Sequence, residues 1–371
     1  MKQFGVGCLH FSIGDELKKN ITVEEYTDEI VNSLEKLTTV SNINLSLNED
    51  NNSVEICIDE KTKMQNGQLC FPLLRNFNLT FYLYIPKRVQ ASSIDESEEF
   101  IDTQTEIFKV NFVHSWHGPI TFIECIDADP NSSPSSAVRI VREYLIKEFS
   151  SLDTYLFLDF MGPSPFHANF SLSDNEEPIE GENAFTLEHN KLRGYDRLNF
   201  KYFNPKIKSE DQALDYLYHS LSDELSFYYY LKVNRSSEIH DWSSIQELVH
   251  SLLEFEDESN KKSVKEKFFL KPKLFKKAFK ETGLFKGEVM YNKSIIDREF
   301  KDIYFSEKQS VYLRHFIEKV ITEWQVYPVQ ETIDLLMYFD QKNSKSLELS
   351  IIFTAAVVGG AIGGTISVLF S

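Results

Sequence analysis

The chain has 371 residues, 42% hydrophobic and 26% charged, a composition that folds and is long enough for two domains. Its net charge of −18 argues against general affinity for nucleic acid. The 4 cysteines (Cys8, Cys57, Cys70, Cys125) are widely spaced without a C-x-x-C pair, which fits reduced thiols better than a disulfide framework.

Gly5, Gly7 and His10 interrupt the first apolar run, so residues 1–14 do not read as a secretory signal. Phe4, Val6 and Cys8 instead alternate as a first strand. Thr22-Val23-Glu24-Glu25 is a capping box, with Ile21 and Tyr26 placed for a hydrophobic staple. Val23, Tyr26, Ile30, Leu34 and Leu37 then line one helical face. Two period-two runs follow, Ile43/Leu45/Leu47 and Val54/Ile56/Ile58, and the polar residues between them predict a hairpin.

Phe77/Leu79/Phe81/Leu83/Ile85 is the cleanest strand pattern, and the acidic, aperiodic residues 91–106 predict an exposed loop. Lys109–His114 and Ile120–Ile126 predict a hairpin about His117-Gly118-Pro119. Ser133 as N-cap and Pro134 at the first helical position start a helix to about Phe149. Strands near Tyr155–Phe160 and His167–Leu172 complete an α+β domain over 1–173, with a mostly antiparallel sheet and a few helices.

Residues 174–208, broken by Pro178, Gly181, Gly194 and Pro205, read as a connector. From Ser209 the pattern turns helical, giving a helical domain and stalk over 209–348. Ser209–Gln212, Ser244–Glu247 and Ser306–Gln309 match capping boxes. The apolar faces behind them are Leu214/Leu217/Leu221/Leu225/Tyr228, Ile245/Leu248/Leu252/Phe255 and Leu313/Phe316/Val320/Trp324. Pro328 either kinks the last helix or restarts it.

Ile351–Phe370 carries no charge over 20 residues. As a helix it would extend about 30 Å, the thickness of a bilayer's hydrocarbon core, so a single transmembrane helix is expected over 349–370. Lys342 and Lys345 precede it and no lysine or arginine follows, which predicts a tail-anchored membrane protein with its N-terminal domain cytoplasmic. Ala355, Gly359, Gly363 and Ser367 recur every fourth residue beside Ala356, Gly360 and Gly364. Such a glycine zipper lets helix backbones approach closely in lipid and predicts a homo-oligomer; the alternative is an anchor whose glycines are merely tolerated.

The segment 261–286 holds ten lysines against two glutamates, a local +8 in a chain whose remainder is −26. Lys261, Lys262, Lys265, Lys267, Lys271, Lys273, Lys276, Lys277 and Lys280 are candidates for binding anionic lipid or another anionic ligand, a lipid headgroup or a nucleotide or oligonucleotide. Alternatively the lysines form a solvated face while Val264, Phe268, Phe275 and Phe279 enter a core.

His114 and His117 precede Glu124, Asp127 and Asp129, with Asp159 and His167 further on. Zinc or iron would accept these residue types, but a strand points His114 and His117 to opposite faces and no H-E-x-x-H is present. Ordinary sheet and turn residues are the better expectation. No P-loop, G-x-S-x-G elbow, metal set or cofactor motif emerges, so no catalytic residue is assigned and an anchored enzyme is the least supported reading.

The layout of soluble sensor, stalk and glycine-rich span resembles, in architecture alone, membrane-acting effectors of bacterial antiphage defence. That resemblance implies a cytosolic domain that senses a ligand or protein partner and a span that self-associates to permeabilise the bilayer. The alternative is a membrane-tethered adaptor whose span is only an anchor.

Overall fold

The computed structural model describes residues 1–14, 20–47, 55–56, 77–92, 105–115, 117–127, 134–160, 168–175, 185–192, 195–202, 207, 209–257, 270–305 and 311–342. In chain order the elements are β1 (Lys2–Gly7), β2 (Leu9–Ile13), β3 (Ile21–Thr22), α1 (Val23–Glu35), β4 (Val40–Ser46), β5 (Glu55–Ile56) and β6 (Asn78–Tyr84). Then come α2 (Lys87–Ser92), β7 (Ile107–Ser115), β8 (Gly118–Cys125), α3 (Pro134–Phe149), β9 (Leu156–Phe160), β10 (Ala168–Asp174), β11 (Phe185–Leu192) and β12 (Tyr195–Tyr202). The last are α4 (Glu210–Asp257), α5 (Lys271–Phe305) and α6 (Arg314–Thr322), followed by a helical stretch over 329–342. The fold is therefore α+β, with a large mixed sheet and helices.

Two compact units share the chain: Met1–Val233 with Phe300–Thr322, and Asn234–Glu299 with residues from Glu323 on. The first holds an eight-stranded sheet in the order β11-β12-β10-β1-β8-β7-β6-β4. Its neighbours pair antiparallel except β10 and β12, which run parallel from Ala168↔Asp196 to Asp174↔Tyr202. The hairpin β11–β12 falls within the stretch expected to connect two domains. Leu198, Phe200 and Tyr202 alternate there, and burying one face of the pair joins it to the sheet.

One face of the sheet packs on α1 and α3. The expected face of α1 is buried from Val23 to Leu37, and Thr22 and Glu25 form the capping box, with Glu25 N–H donating to Thr22 Oγ1 at 3.1 Å and Thr22 N–H to Glu25 Oε2 at 2.8 Å. The alternating positions Phe77 to Ile85 are all buried in the same core. Close packing of α3 explains Gly5 and Gly7. A Cβ on Gly5 would stand 2.3 Å from the Pro134 carbonyl oxygen, and one on Gly7 2.7 Å from Val138 Cγ1.

Among the described residues the hairpin expected between residues 43 and 58 is not formed, and residues 48–54 and 57–58 lie outside them. β4 pairs with β6, from Val40↔Leu83 to Ser46↔Asn78, and β5 pairs with β3. Period-two alternation fixes which face is buried, not which strand is the partner, and β4 finds its partner in the seven-residue β6. A register shift between Ser41 and Asn44 accommodates Asn42, whose φ of 54° lies in the left-handed region that asparagine tolerates. The hairpin of β7 and β8 forms as expected, and Gly118 at its turn adopts φ 144°.

Ser209 begins α4 as expected: Gln212 N–H donates to Ser209 Oγ at 3.2 Å, and Leu214, Leu217, Leu221, Leu225 and Tyr228 are buried. Ser244 begins nothing. It lies inside α4, a continuous helix of 48 residues, so the expected break before it is absent. Pro328 restarts the chain as helix: α6 has ended at Thr322, and Thr332 N–H donates to the Pro328 carbonyl. Among the described residues no helix is long and apolar enough to cross a membrane. The expected span, the Ser306 cap and Met161–His167 lie outside the described residues.

Candidate functional site

Helix α5 carries the described part of the lysine-rich segment. Pro272 is the second residue of α5, and the residue before α5, Leu270, is already helical. Within the second unit, Ala278 is buried with Leu252 and Leu336, and Leu274 and Phe275 pack against that cluster. A second cluster holds Phe285 against Trp242 and Tyr327, with ring centroids 5.4 and 5.1 Å apart. Glu238 braces the unit, accepting from Trp324 Nε1 at 2.8 Å and from Asn292 Nδ2 at 3.3 Å.

The other side of α5 is open. Lys273, Lys276, Lys277 and Lys280 are exposed, and Lys286 reaches Gln330 at 2.9 Å. Phe279 (44% exposed), Leu284 (50%), Met290 (67%) and Tyr291 (68%) share that side. A Cβ at Gly283 or Gly287 would meet nothing within 4 Å. Of the three phenylalanines expected in a core, Phe275 enters one and Phe279 does not, and Phe268, like Val264, lies outside the described residues. Lys271 begins α5, half-buried; Lys261, Lys262, Lys265 and Lys267 lie outside the described residues.

The histidines near the β7–β8 turn do not converge. His114 is buried with its ring 4.6 Å from that of Phe77, whereas His117 lies against Phe227 and Tyr230 of α4 at 5.1 and 5.2 Å. Burial, then the neighbouring His10, pushes His114 down to about 3, and burial pushes His10 down to about 4, so both stay neutral near pH 7. Asp127 occupies the turn after β8 with φ 55°, and Asp129 and His167 lie outside the described residues. Among the described residues no group of three His, Cys, Asp or Glu side chains is placed to hold a metal.

Two buried glutamates carry more structure than any motif suggested. Glu224 of α4 accepts the Tyr312 N–H at 2.8 Å, the Leu313 N–H at 2.9 Å and the Tyr304 hydroxyl at 2.9 Å, tying the start of α6 down. Burial pushes its carboxyl up to about 7 even though all three donors favour the ionised form. Glu124 of β8 meets Lys2 Nζ at 2.6 Å, and that ammonium also lies 3.4 Å from Asp211 of α4. The available signal was their placement: Glu124 interrupts the apolar run Ile120–Ile126, and Glu224 sits between Leu221 and Leu225.

Ala355, Gly359, Gly360, Gly363, Gly364 and Ser367 all lie outside the described residues. No protein-family model matches this chain, and neither a curated protein nor a solved structure matches it.

Proposed function

We propose that this chain acts at a membrane: the first unit senses a ligand or partner, α5 rests on anionic lipid, and Ile351–Phe370 spans the bilayer and self-associates to permeabilise it. The observation that carries this reading is the open side of α5. A helix whose inner side already fills a core still presents four exposed lysines beside Phe279, Leu284, Met290 and Tyr291. Basic charge with exposed aromatic and aliphatic groups complements an anionic lipid surface. At about 1 kcal/mol per lysine near such a surface, the four supply about 4 kcal/mol, roughly a thousandfold in binding.

The apolar run that follows in sequence supports the same destination, and its small residues every fourth position suit a homo-oligomer. Flotation with vesicles separates the lysine contribution from the span. A chain ending after Lys342 is expected to float with phosphatidylserine-containing vesicles at low salt and to release at 0.5 M salt, since those charges are screened. Lys276→Glu with Lys280→Glu is expected to weaken association at least tenfold. Equal binding to neutral and anionic vesicles would remove the basis for this role of α5.

A further inference from the structure

The sheet face beneath α4 holds polar atoms that the fold does not satisfy. Register places Asn111 opposite Phe122 and Lys109 opposite Glu124 across β7 and β8, all on the face turned away from α1 and α3. Tyr218 of α4 stacks on Phe122 at 4.0 Å and 14°, and meets Phe4 edge-on at 5.0 Å. Asn111, Glu124 and Tyr218 are 4, 2 and 2% exposed. Among the described residues, Asn111 Oδ1, Glu124 Oε2 and Tyr218 Oη have no hydrogen-bond partner. Buried polar atoms in folded proteins are almost always paired, with protein, water or ligand.

The charges here are also uneven. Glu124, Asp211 and Asp215 all raise the Tyr218 hydroxyl pKa through their fields, after burial itself, so three carboxylates lie near that hydroxyl. Lys2 Nζ, 2.6 Å from Glu124 Oε1 and 3.4 Å from Asp211, is the cation that the contacts place among these three carboxylates. Asp211 and Asp215 are exposed on the first turns of α4 and set a negative field at the margin of the buried atoms.

We propose that this face of the sheet is a binding site for a small organic cation, a primary ammonium or a guanidinium group, held by Glu124 Oε2, Asn111 Oδ1 and the Tyr218 hydroxyl. Two of the three atoms can only accept hydrogen bonds and the third can, which selects a ligand rich in donors. Asn111 and Glu124 are diagonal neighbours across the ladder, about 7–8 Å apart at Cα, a gap that one such group bridges. The rings of Phe122 and Tyr218 add faces that attract a cation. The inference stands on the first unit alone and does not depend on the bilayer reading.

The test is calorimetric titration of the intact chain, in mild detergent, with n-butylamine, n-butylguanidine and, as a neutral match, n-butanol. At least one cation is expected to bind saturably at one site per chain, with no heat from butanol. Glu124→Gln should weaken that binding at least tenfold. Tyr218→Phe should do the same while the melting temperature of the free chain stays level or rises, because it deletes only an unpaired hydroxyl. This second variant decides the matter where Glu124→Gln fails to fold. No saturable binding of either cation, equal affinity in wild type and Tyr218→Phe, or a crystal soaked in the cation that shows only ordered water there would overturn the proposal.

Discussion

Glu224 gives the sharpest quantitative test, because its pH dependence has a sign. Its carboxyl titrates at about 7 in the folded chain, against an ordinary value of 4.5. An acid whose folded value is raised binds its proton more tightly when folded. The stability it contributes is therefore fully present below pH 4.5 and is lost as the pH rises through 7. Integrated between pH 5 and pH 8, a shift of that size corresponds to a loss of about 2.5 kcal/mol.

The amides that Glu224 holds report this directly. Hydrogen exchange at the Tyr312 and Leu313 N–H groups, corrected for the intrinsic pH dependence of exchange, measures the free energy of opening the start of α6. That free energy is expected to fall by about 2.5 kcal/mol from pH 5 to pH 8 in the wild-type chain and to stay level in Glu224→Gln, which has no titrating group there. A level wild-type profile, or the same slope in the variant, would show that burial does not dominate at this carboxyl.

Gly5→Ala should destabilise the first unit by about 1–3 kcal/mol, because its Cβ would stand 2.3 Å from the Pro134 carbonyl oxygen and 2.5 Å from Val138 Cγ2; a thermal melt reads the loss. Gly283→Ala has the opposite sign: nothing lies within 4 Å, and replacing a glycine inside α5 should stabilise the helix by about 0.5–1 kcal/mol in the same assay. Thr22→Ala removes the acceptor of the Glu25 N–H and should cost about 1 kcal/mol in chemical denaturation.

Where the sequence was legible, one local rule decided the outcome. The alternation from Phe77 to Ile85 defined a buried face, and the cap at Thr22 and the face behind it described the same helix. The misreadings arose where several strands or helices competed for the same pattern. Ile43/Leu45/Leu47 carries the right face for β4, but alternation is silent about partners, and β6 begins only at Asn78, well beyond the end of β4 at Ser46. Ser244 and Glu247 have capping-box spacing, yet the residues before them are already helical, so no N-terminus exists for them to cap. Leu198 and Phe200 alternated inside a polar stretch that proline and glycine made look like a connector.

The candidate sites divide in the same way. The lysines of α5 were visible as composition, and only packing separated the buried Ala278 and Phe285 from the open side that carries Phe279 and Tyr291. Asn111, Glu124 and Tyr218 have no sequence spacing that joins them. Asn111 and Glu124 share one face of the β7–β8 hairpin, and the docking of α4 brings Tyr218 of a distant segment to the same face. His114 and His117, three apart in sequence, are separated because His114 lies in β7 against Phe77 while His117 lies in the turn after it, against Phe227 and Tyr230 of α4.

The central claim is that this chain acts on the bilayer through residues 351–370. Dye release from phosphatidylserine-containing vesicles on addition of the intact chain tests it most directly. The account predicts release by the wild-type chain and its loss in Gly359→Leu with Gly363→Leu, because leucines on that line prevent close approach of the helices. It is contradicted if the wild-type chain releases no dye, or if an unrelated apolar span in place of residues 351–370 releases it equally well.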